Sequence, residues 1–149
     1  MDAAALLDHL LDTARALREH LRAQGEALAA RDLAAIERLT CEQQALLGTL
    51  READAALLAA LGLEPDATRK RVEAALAARA ADLSSRWQAL CACLEDCRRL
   101  NLENGRRVEG QRRVLQGVLQ ALRGGEGPLT YGPGEDEGTT PLRQPLGKA

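Results

Sequence analysis

The sequence predicts an all-α fold, an elongated antiparallel helical bundle or coiled coil of three long helices followed by a disordered C-terminal tail. Of its 149 residues, 89 are Ala, Leu, Arg, Glu or Lys, a composition typical of long helices and coiled coils. β-Sheets favour β-branched and aromatic residues, whereas this chain has one Trp, one Tyr and no Phe. Apolar residues also recur at spacings of three and four, which is the periodicity of one helix face.

The first two helices are predicted over about residues 2–30 and 32–61. One apolar stripe runs from Ala3 to Leu28, with Gln24 inside it, and the next stripe starts at Leu33. The second stripe is displaced by one residue, which is about 100° around a helix. Asp32 lies at this displacement and is a good N-cap, because its carboxylate can accept from free N–H groups of the following turn. We therefore expect a kink or a tight reversal between the two helices.

The third helix is predicted over about residues 66–123, about twice the length of each of the others. Pro65 ends the second helix and precedes the restart. The apolar seam of the third helix runs from Val72 to Leu122 and includes Arg79, with a stutter between Leu83 and Trp87. The first two helices either fold back over part of the third or run pseudo-continuously beside all of it, and the sequence does not choose. The predicted helical domain is residues 1–123.

Residues 124–149 form the predicted disordered tail. Eleven of these 26 residues are Gly or Pro, so the segment cannot bury enough apolar surface to offset the entropy of ordering it. Tyr131, the single tyrosine, has no core to join there, and a Gly-Pro-Gly turn follows it. Aromatic side chains are favoured interface anchors, so we interpret the segment around Tyr131 as a short linear motif.

Several classes of protein are excluded by composition. No apolar run approaches the roughly 18 residues that span a membrane, and the start lacks the features of a signal peptide, so a cytoplasmic chain is expected. A net charge of −2 predicts no non-specific affinity for nucleic acid or for an anionic membrane. Cys91, Cys93 and Cys97 cannot converge on one ion from a regular helix, and together with Cys41 they are expected to be reduced thiols. No catalytic constellation is present, so we expect neither a cofactor nor an enzyme.

The distal half of the third helix carries the strongest functional signal. Its seam contains Asn101, Asn104 and Gln111, and the helix contains three glycines, each of which costs about 1 kcal/mol relative to Ala. Two interpretations remain open from the residues alone. The glycines could allow close packing of helices, or this half could be a docking face for an amphipathic partner helix.

Three segments resemble the FlgN-type flagellar export chaperone family. Residues 28–37 read LAARDLAAIE, residues 100–108 read LNLENGRRV, and residues 129–132 read LTYG. The resemblance implies a non-enzymatic chaperone that binds the helical C-terminal segments of the hook–filament junction proteins FlgK and FlgL. Such a chaperone keeps these clients from aggregating and delivers them to the export gate. It also implies docking of Leu129 and Tyr131 to the gate protein FlhA. The resemblance places client binding on the C-terminal helix, and together with the amphipathic pattern of its distal half it predicts the client-binding residues Leu100, Asn101, Asn104, Val108, Gln111, Leu115, Val118, Leu119 and Leu122.

A rival interpretation is a structural coiled-coil or adaptor protein that self-associates through its exposed helical stripe. A homodimer is compatible with either interpretation, and neither involves stable insertion into a membrane. A measurement of mass in solution, with and without a FlgK C-terminal peptide, distinguishes the two.

Overall fold

The computed structural model describes residues 1–122, which form four helices. They are α1 (Ala3–Ala30), α2 (Leu33–Ala60), α3 (Arg69–Ala77) and α4 (Ala81–Leu122). The all-α prediction with three long helices is therefore confirmed. No helix in this part of the chain is long and apolar enough to cross a membrane. The predicted tail at 124–149 lies outside the described residues.

The chain divides into two units, Met1–Val108 and Glu109–Ala149, and α4 contributes residues to both. The first unit contains α1, α2, α3 and most of α4. The second unit is described only over residues 109–122. The predicted domain boundary after residue 123 remains a prediction.

A tight reversal joins α1 to α2. Arg31 ends α1 in the left-handed region, with φ 56°, and its N–H donates to the carbonyls of Ala27 and Leu28. Asp32 then caps α2, because its carboxylate accepts a 3.1 Å hydrogen bond from the N–H of Ala35. The N-cap and the reversal that the displaced stripe predicts are both present.

The three long helices of the first unit alternate in direction. His20 of α1 contacts Glu42 of α2 at 2.8 Å, and the ring of His20 also lies 2.9 Å from the carbonyl of Ala16. Residue numbers rise together along α1 and α4, since Asp8 forms an ion pair with Arg86 and Cys97 lies against Ala14. α2 is therefore antiparallel to both of its long neighbours. α2 therefore folds back on α1, and the pseudo-continuous arrangement that the sequence left open is not found in the described part of the chain.

Two groups of buried side chains form the core of the first unit. In the first group, Leu7, Leu57 and Leu76 are fully buried where the start of α1 meets the end of α2, α3 and the start of α4. Each fully buried Leu contributes about 1.5–3 kcal/mol relative to an exposed one. The second group continues the core between α1 and α4, with Leu46, Leu47 and Leu50 of α2 packed against it. Its members are Leu17, Leu21, Cys97 and Leu100.

The predicted third helix is interrupted, which corrects the single helix expected over residues 66–123. α3 ends at Ala77 and α4 begins at Ala81, so α4 has 42 residues against 28 in α1. A straight helix would place Arg79 in the seam between Leu76 and Leu83. An unpaired buried charge costs several kcal/mol. The interruption leaves Arg79 exposed while Leu76 and Leu83 stay buried.

Trp87 lies at the corner between α3 and α4. Its indole N–H donates a 3.3 Å hydrogen bond to Glu73, which also accepts a 2.7 Å hydrogen bond from Nε of Arg69. The pKa of Glu73 is lowered most by the hydrogen bond from Arg69 and next by the hydrogen bond from Trp87. The polar contacts of Trp87 and Glu73 therefore connect the short helix to α4.

Candidate functional site

The last three turns of α4 carry apolar side chains that the described part of the chain does not cover. We call Val114, Leu115, Val118, Leu119 and Leu122 the exposed stripe. The exposed fraction of these side chains ranges from 43% at Leu119 to 77% at Leu122. At 3.6 residues per turn they fall within an arc of about 140°. That width is typical of a helix face that packs against another element.

The other side of these turns is polar. Arg113 and Gln120 project away from the exposed stripe at helical spacing, and both are exposed. Isolated exposed apolar residues are normal on a protein surface, whereas a contiguous row of them marks a contact surface. The end of α4 is thus amphipathic, with an apolar face that the described residues leave exposed.

Some of the client-binding residues predicted from the sequence lie in the core rather than on this surface. Leu100 is buried in the second core group, and Asn104 is only 4% exposed. The side-chain amide of Asn104 donates a 2.8 Å hydrogen bond to the carbonyl of Leu21 in α1. A client could reach either residue only by displacing α1, so both contribute to the fold of the free chain.

The remaining predicted residues are distributed unevenly. Asn101 is exposed, and Val108, the last residue of the first unit, is 51% exposed. Gln111 is half-buried, while Leu115, Val118, Leu119 and Leu122 belong to the exposed stripe. The predicted gate-docking residues Leu129 and Tyr131 lie outside the described residues.

Val114 is a member of the exposed stripe that the sequence prediction missed. It lies one position before Leu115 and outside the seam of alternating three- and four-residue steps. The available signal was its spacing of four residues from Val118, which places the two side chains on neighbouring turns of one face.

The glycines of α4 do not serve close packing within the described part of the chain. A Cβ built on Gly105, Gly110 or Gly117 would meet no atom within 4 Å outside the neighbouring backbone of α4. Gly110 and Gly117 also lie outside the arc of the exposed stripe. Of the two interpretations left open by the sequence, close packing of helices is therefore not realised among residues 1–122.

Arginine outnumbers glutamate in the segment of α4 that precedes the exposed stripe in the sequence. Residues 98–113 contain six Arg and two Glu. Glu109 contacts Arg112 at 3.6 Å, and Glu103 accepts a 3.0 Å hydrogen bond from Arg99. The excess of arginine favours a partner segment with net negative charge, since complementary potentials increase the rate of association.

The cysteines form no metal centre in the described part of the chain. Among residues 1–122, no group of three His, Cys, Asp or Glu side chains could hold a metal ion. Cys93 and Cys97 are buried, Cys91 is half-buried and Cys41 is exposed. Burial, together with the neighbouring Cys93, raises the pKa of the Cys97 thiol to about 11. Cys93 and Cys97 thus occupy core positions on α4.

Comparison with known proteins identifies the family of this chain. Neither the curated proteins nor the solved structures that were compared match this chain. A family model described as FlgN protein matches residues 1–137, which is most of the chain. The resemblance noted in three separate segments of the sequence is thereby confirmed. The chain belongs to the FlgN protein family.

Proposed function

We propose that the exposed stripe of α4 binds the amphipathic, helical C-terminal segments of the hook–filament junction proteins FlgK and FlgL. The FlgN family consists of flagellar export chaperones for hook-associated proteins, and it is not an enzymatic family. The observation that supports this surface is the row of five apolar side chains, from Val114 to Leu122, that the described chain leaves uncovered. Val108 is exposed to a similar degree and is a further candidate contact.

The binding mode is packing of one helix face on another. The client's apolar face covers the exposed stripe, and in return the stripe removes the client's apolar face from water. Burying these half-exposed side chains at about 25 cal/mol per Å² provides the favourable term. It must exceed the cost of ordering two chains, so a client that is already helical binds more tightly than one that must fold.

Chaperoning follows from the same contact. An amphipathic segment that is free in solution exposes an apolar face that can aggregate, and covering this face keeps the client monomeric. We propose that this step takes place in the cytoplasm. We further propose that Leu129 and Tyr131 dock the loaded chaperone to the export-gate protein FlhA. This motif follows α4 in the sequence and shares no residue with the exposed stripe, so we propose that both partners bind at once.

Titration with a synthetic FlgK C-terminal peptide tests the client site. Substitution of both Leu115→Asp and Leu119→Asp should abolish binding while leaving the helical content of the chain unchanged, because both side chains are exposed. The matched control is Gln120→Asp, which introduces a carboxylate one residue beyond Leu119 but outside the exposed stripe. Retention of full affinity by the double variant would exclude this surface.

The same titration tests the rival function. If the protein were a self-associating coiled coil, its mass in solution would correspond to a stable dimer, and addition of the peptide would change neither that mass nor the heat of mixing. A dimer that dissociates or binds when peptide is added supports the chaperone function instead.

A further inference from the structure

A chain of hydrogen-bonded polar side chains crosses the three long helices of the first unit. Nη1 of Arg107 donates to Oδ1 of Asn104 at 3.1 Å, and Nδ2 of Asn104 donates to Oε1 of Gln24 at 3.2 Å. Nε2 of Gln24 in turn donates to Oγ1 of Thr40 at 3.4 Å. The Thr40 hydroxyl donates to the carbonyl of Ile36 at 2.7 Å, which ends the chain within α2. We call Gln24, Thr40, Asn104 and Arg107 the polar network.

Asn104 is the buried centre of the polar network. Its Nδ2 also donates a 2.8 Å hydrogen bond to the main-chain carbonyl of Leu21, so both the amide nitrogen and the amide oxygen have partners. A buried polar group left without a partner costs about 1–3 kcal/mol. Moving α4 along α1 by one turn, about 5.4 Å, would break all of these contacts together.

Gly25 allows the polar network to form at only one position along the axis of α1. A Cβ on Gly25 would lie 2.8 Å from Oδ1 of Asn104 and would also clash with the guanidinium of Arg107. One turn away on the same side of α1 are Leu21 and Leu28, whose side chains would take the space that Asn104 occupies. Asn104 therefore fits against α1 only beside the glycine.

The polar network also lies at the point along α4 where the apolar side chains change from buried to exposed. Leu100, one turn before Asn104, is the last apolar residue of α4 that is buried in the core. Val108, one turn after Asn104, is 51% exposed. The three residues follow one another at four-residue spacing along α4, so the change occurs at Asn104 itself.

We propose that Asn104 is a positioning residue that fixes the register of α4 against α1 and α2. A single buried Asn in a helical seam can specify register at some cost in stability. With this register the chain's own core ends at Leu100, and Val108 stays exposed for the client. The last step rests on the proposed client-binding function, whereas the fixed register does not depend on it.

Distance measurements between spin labels test the register directly. Labels are attached at Asp12→Cys in α1 and Arg106→Cys in α4, two exposed positions. They lie about 20 Å apart along the helix axes, so a slide of one helix along the other changes the distance between them. The accessible thiols are first removed by Cys41→Ser and Cys91→Ser, while Cys93 and Cys97 stay because they are buried. The parent should give one narrow distance distribution. Asn104→Leu should add a second population displaced by about 5 Å, one helical turn.

The matched control is Asn101→Leu, the same substitution at an exposed Asn of α4 outside the polar network. It should leave the distance distribution unchanged. An unchanged distribution in Asn104→Leu would overturn the proposal. Should Asn104→Leu fail to fold, Gln24→Leu removes the link to Thr40 at a half-buried position and must broaden the distribution for the proposal to stand.

Client affinity supplies a readout that a merely structural role would not change. Asn104→Leu should melt within a few degrees of the wild type, since an apolar residue replaces a polar one in the seam. It should nevertheless bind the FlgK peptide more weakly, in proportion to the population that loses the correct register, which is about twofold if half of the molecules hold α4 in the wrong register. A variant that melts much lower but binds with wild-type affinity would show Asn104 to be structural only. Failure of the wild type to bind would overturn the proposed function, and the distance distributions would still judge the register.

Discussion

Gly25 of α1 lies directly against the side chain of Asn104 in α4, and a Cβ on this glycine would be 2.8 Å from Oδ1 of Asn104. Non-bonded carbon and oxygen atoms do not approach so closely, since even weak C–H···O contacts have a C···O distance of about 3.3–3.6 Å. The two helices can therefore meet in this way only where α1 has no side chain. A glycine in the middle of a helix costs about 1 kcal/mol relative to Ala. At this position the cost is offset by the hydrogen bonds that Asn104 makes with α1.

Gly25→Ala should therefore destabilise the protein even though Ala is the better helix former. Overpacking typically costs about 1–3 kcal/mol. The matched control is Gly48→Ala in α2, where a Cβ would meet no atom within 4 Å. That substitution should stabilise the chain by about 0.5–1 kcal/mol. Urea denaturation of both variants measures the difference, and a stabilised Gly25→Ala would contradict the close approach of the helices.

Leu57→Ala should be among the most destabilising single substitutions. Leu57 is fully buried in the first core group, and replacement of a buried Leu by Ala typically costs about 2–5 kcal/mol. Leu33→Ala provides the control at the other end of the same helix, because Leu33 is 74% exposed and surface substitutions usually change stability by less than about 0.5 kcal/mol. Chemical denaturation measures the free energy of unfolding of both variants. A similar decrease in the two would mean that α2 presents a different face to the core.

Much of the fold could be predicted from the sequence because its signals are local. The displaced stripe and Asp32 predicted the reversal between α1 and α2, since capping and periodicity each depend on a few neighbouring residues. The interruption before Ala81 had no such signal, because neither Gly nor Pro occurs near it. The interruption depends on the burial of both Leu76 and Leu83. A continuous helix that buried these two residues would also bury the charged side chain of Arg79.

The candidate site was predicted less completely, for the same reason. Gln24 and Asn104 were both visible as polar residues in apolar stripes, but 80 positions separate them. The hydrogen bond between them follows from the packing of α1 on α4, which no local pattern contains. Leu100 and Asn104 were accordingly expected to face the client, whereas the fold buries both. The predicted residues that remain exposed are Asn101, Val108, Leu115, Val118, Leu119 and Leu122.

The thiols should react in the order of their exposure. Thiolate is the reactive form, and burial raises the pKa of Cys97 to about 11, so alkylation of the native protein near neutral pH should modify Cys41 first. Cys93 and Cys97 should react only as fast as the protein unfolds. Mass spectrometry of partially alkylated protein gives the order directly. Rapid modification of Cys97 alongside Cys41 would contradict the burial of this part of α4.

The raised pKa of Cys97 also predicts how stability depends on pH. The folded state favours the neutral thiol, so its contribution is complete below about pH 9, the unperturbed pKa, and is lost as the pH rises through about 11. The free energy of unfolding should therefore fall more steeply over this range in the wild type than in Cys97→Ala. Parallel slopes in denaturation experiments on the two proteins would show that the thiol is solvated.

Gly110→Ala and Gly117→Ala together should strengthen the end of α4. No described atom obstructs a Cβ at either position, and each substitution improves helix propensity by about 1 kcal/mol. Amide hydrogen exchange of residues 109–122 should slow accordingly. Because both glycines lie outside the arc of the exposed stripe, affinity for the FlgK peptide should be retained. A large loss of affinity would mean that the client's backbone packs against the glycines instead.

Tyr131→Ala separates the two proposed tasks of the chain. Tyr131 follows α4 in the sequence and is not part of the exposed stripe, so the variant should bind the FlgK peptide with wild-type affinity. Aromatic anchors typically contribute 2 kcal/mol or more to an interface, which predicts roughly a thirtyfold or greater loss of affinity for the purified cytoplasmic domain of FlhA. Tyr131→Phe retains the ring and should keep most of this affinity, and Thr130→Ala serves as the neighbouring control. Titrations of the client-loaded chaperone with FlhA measure the effect. A sharp fall in client affinity in Tyr131→Ala, with FlhA binding intact, would instead assign the tyrosine to the client site.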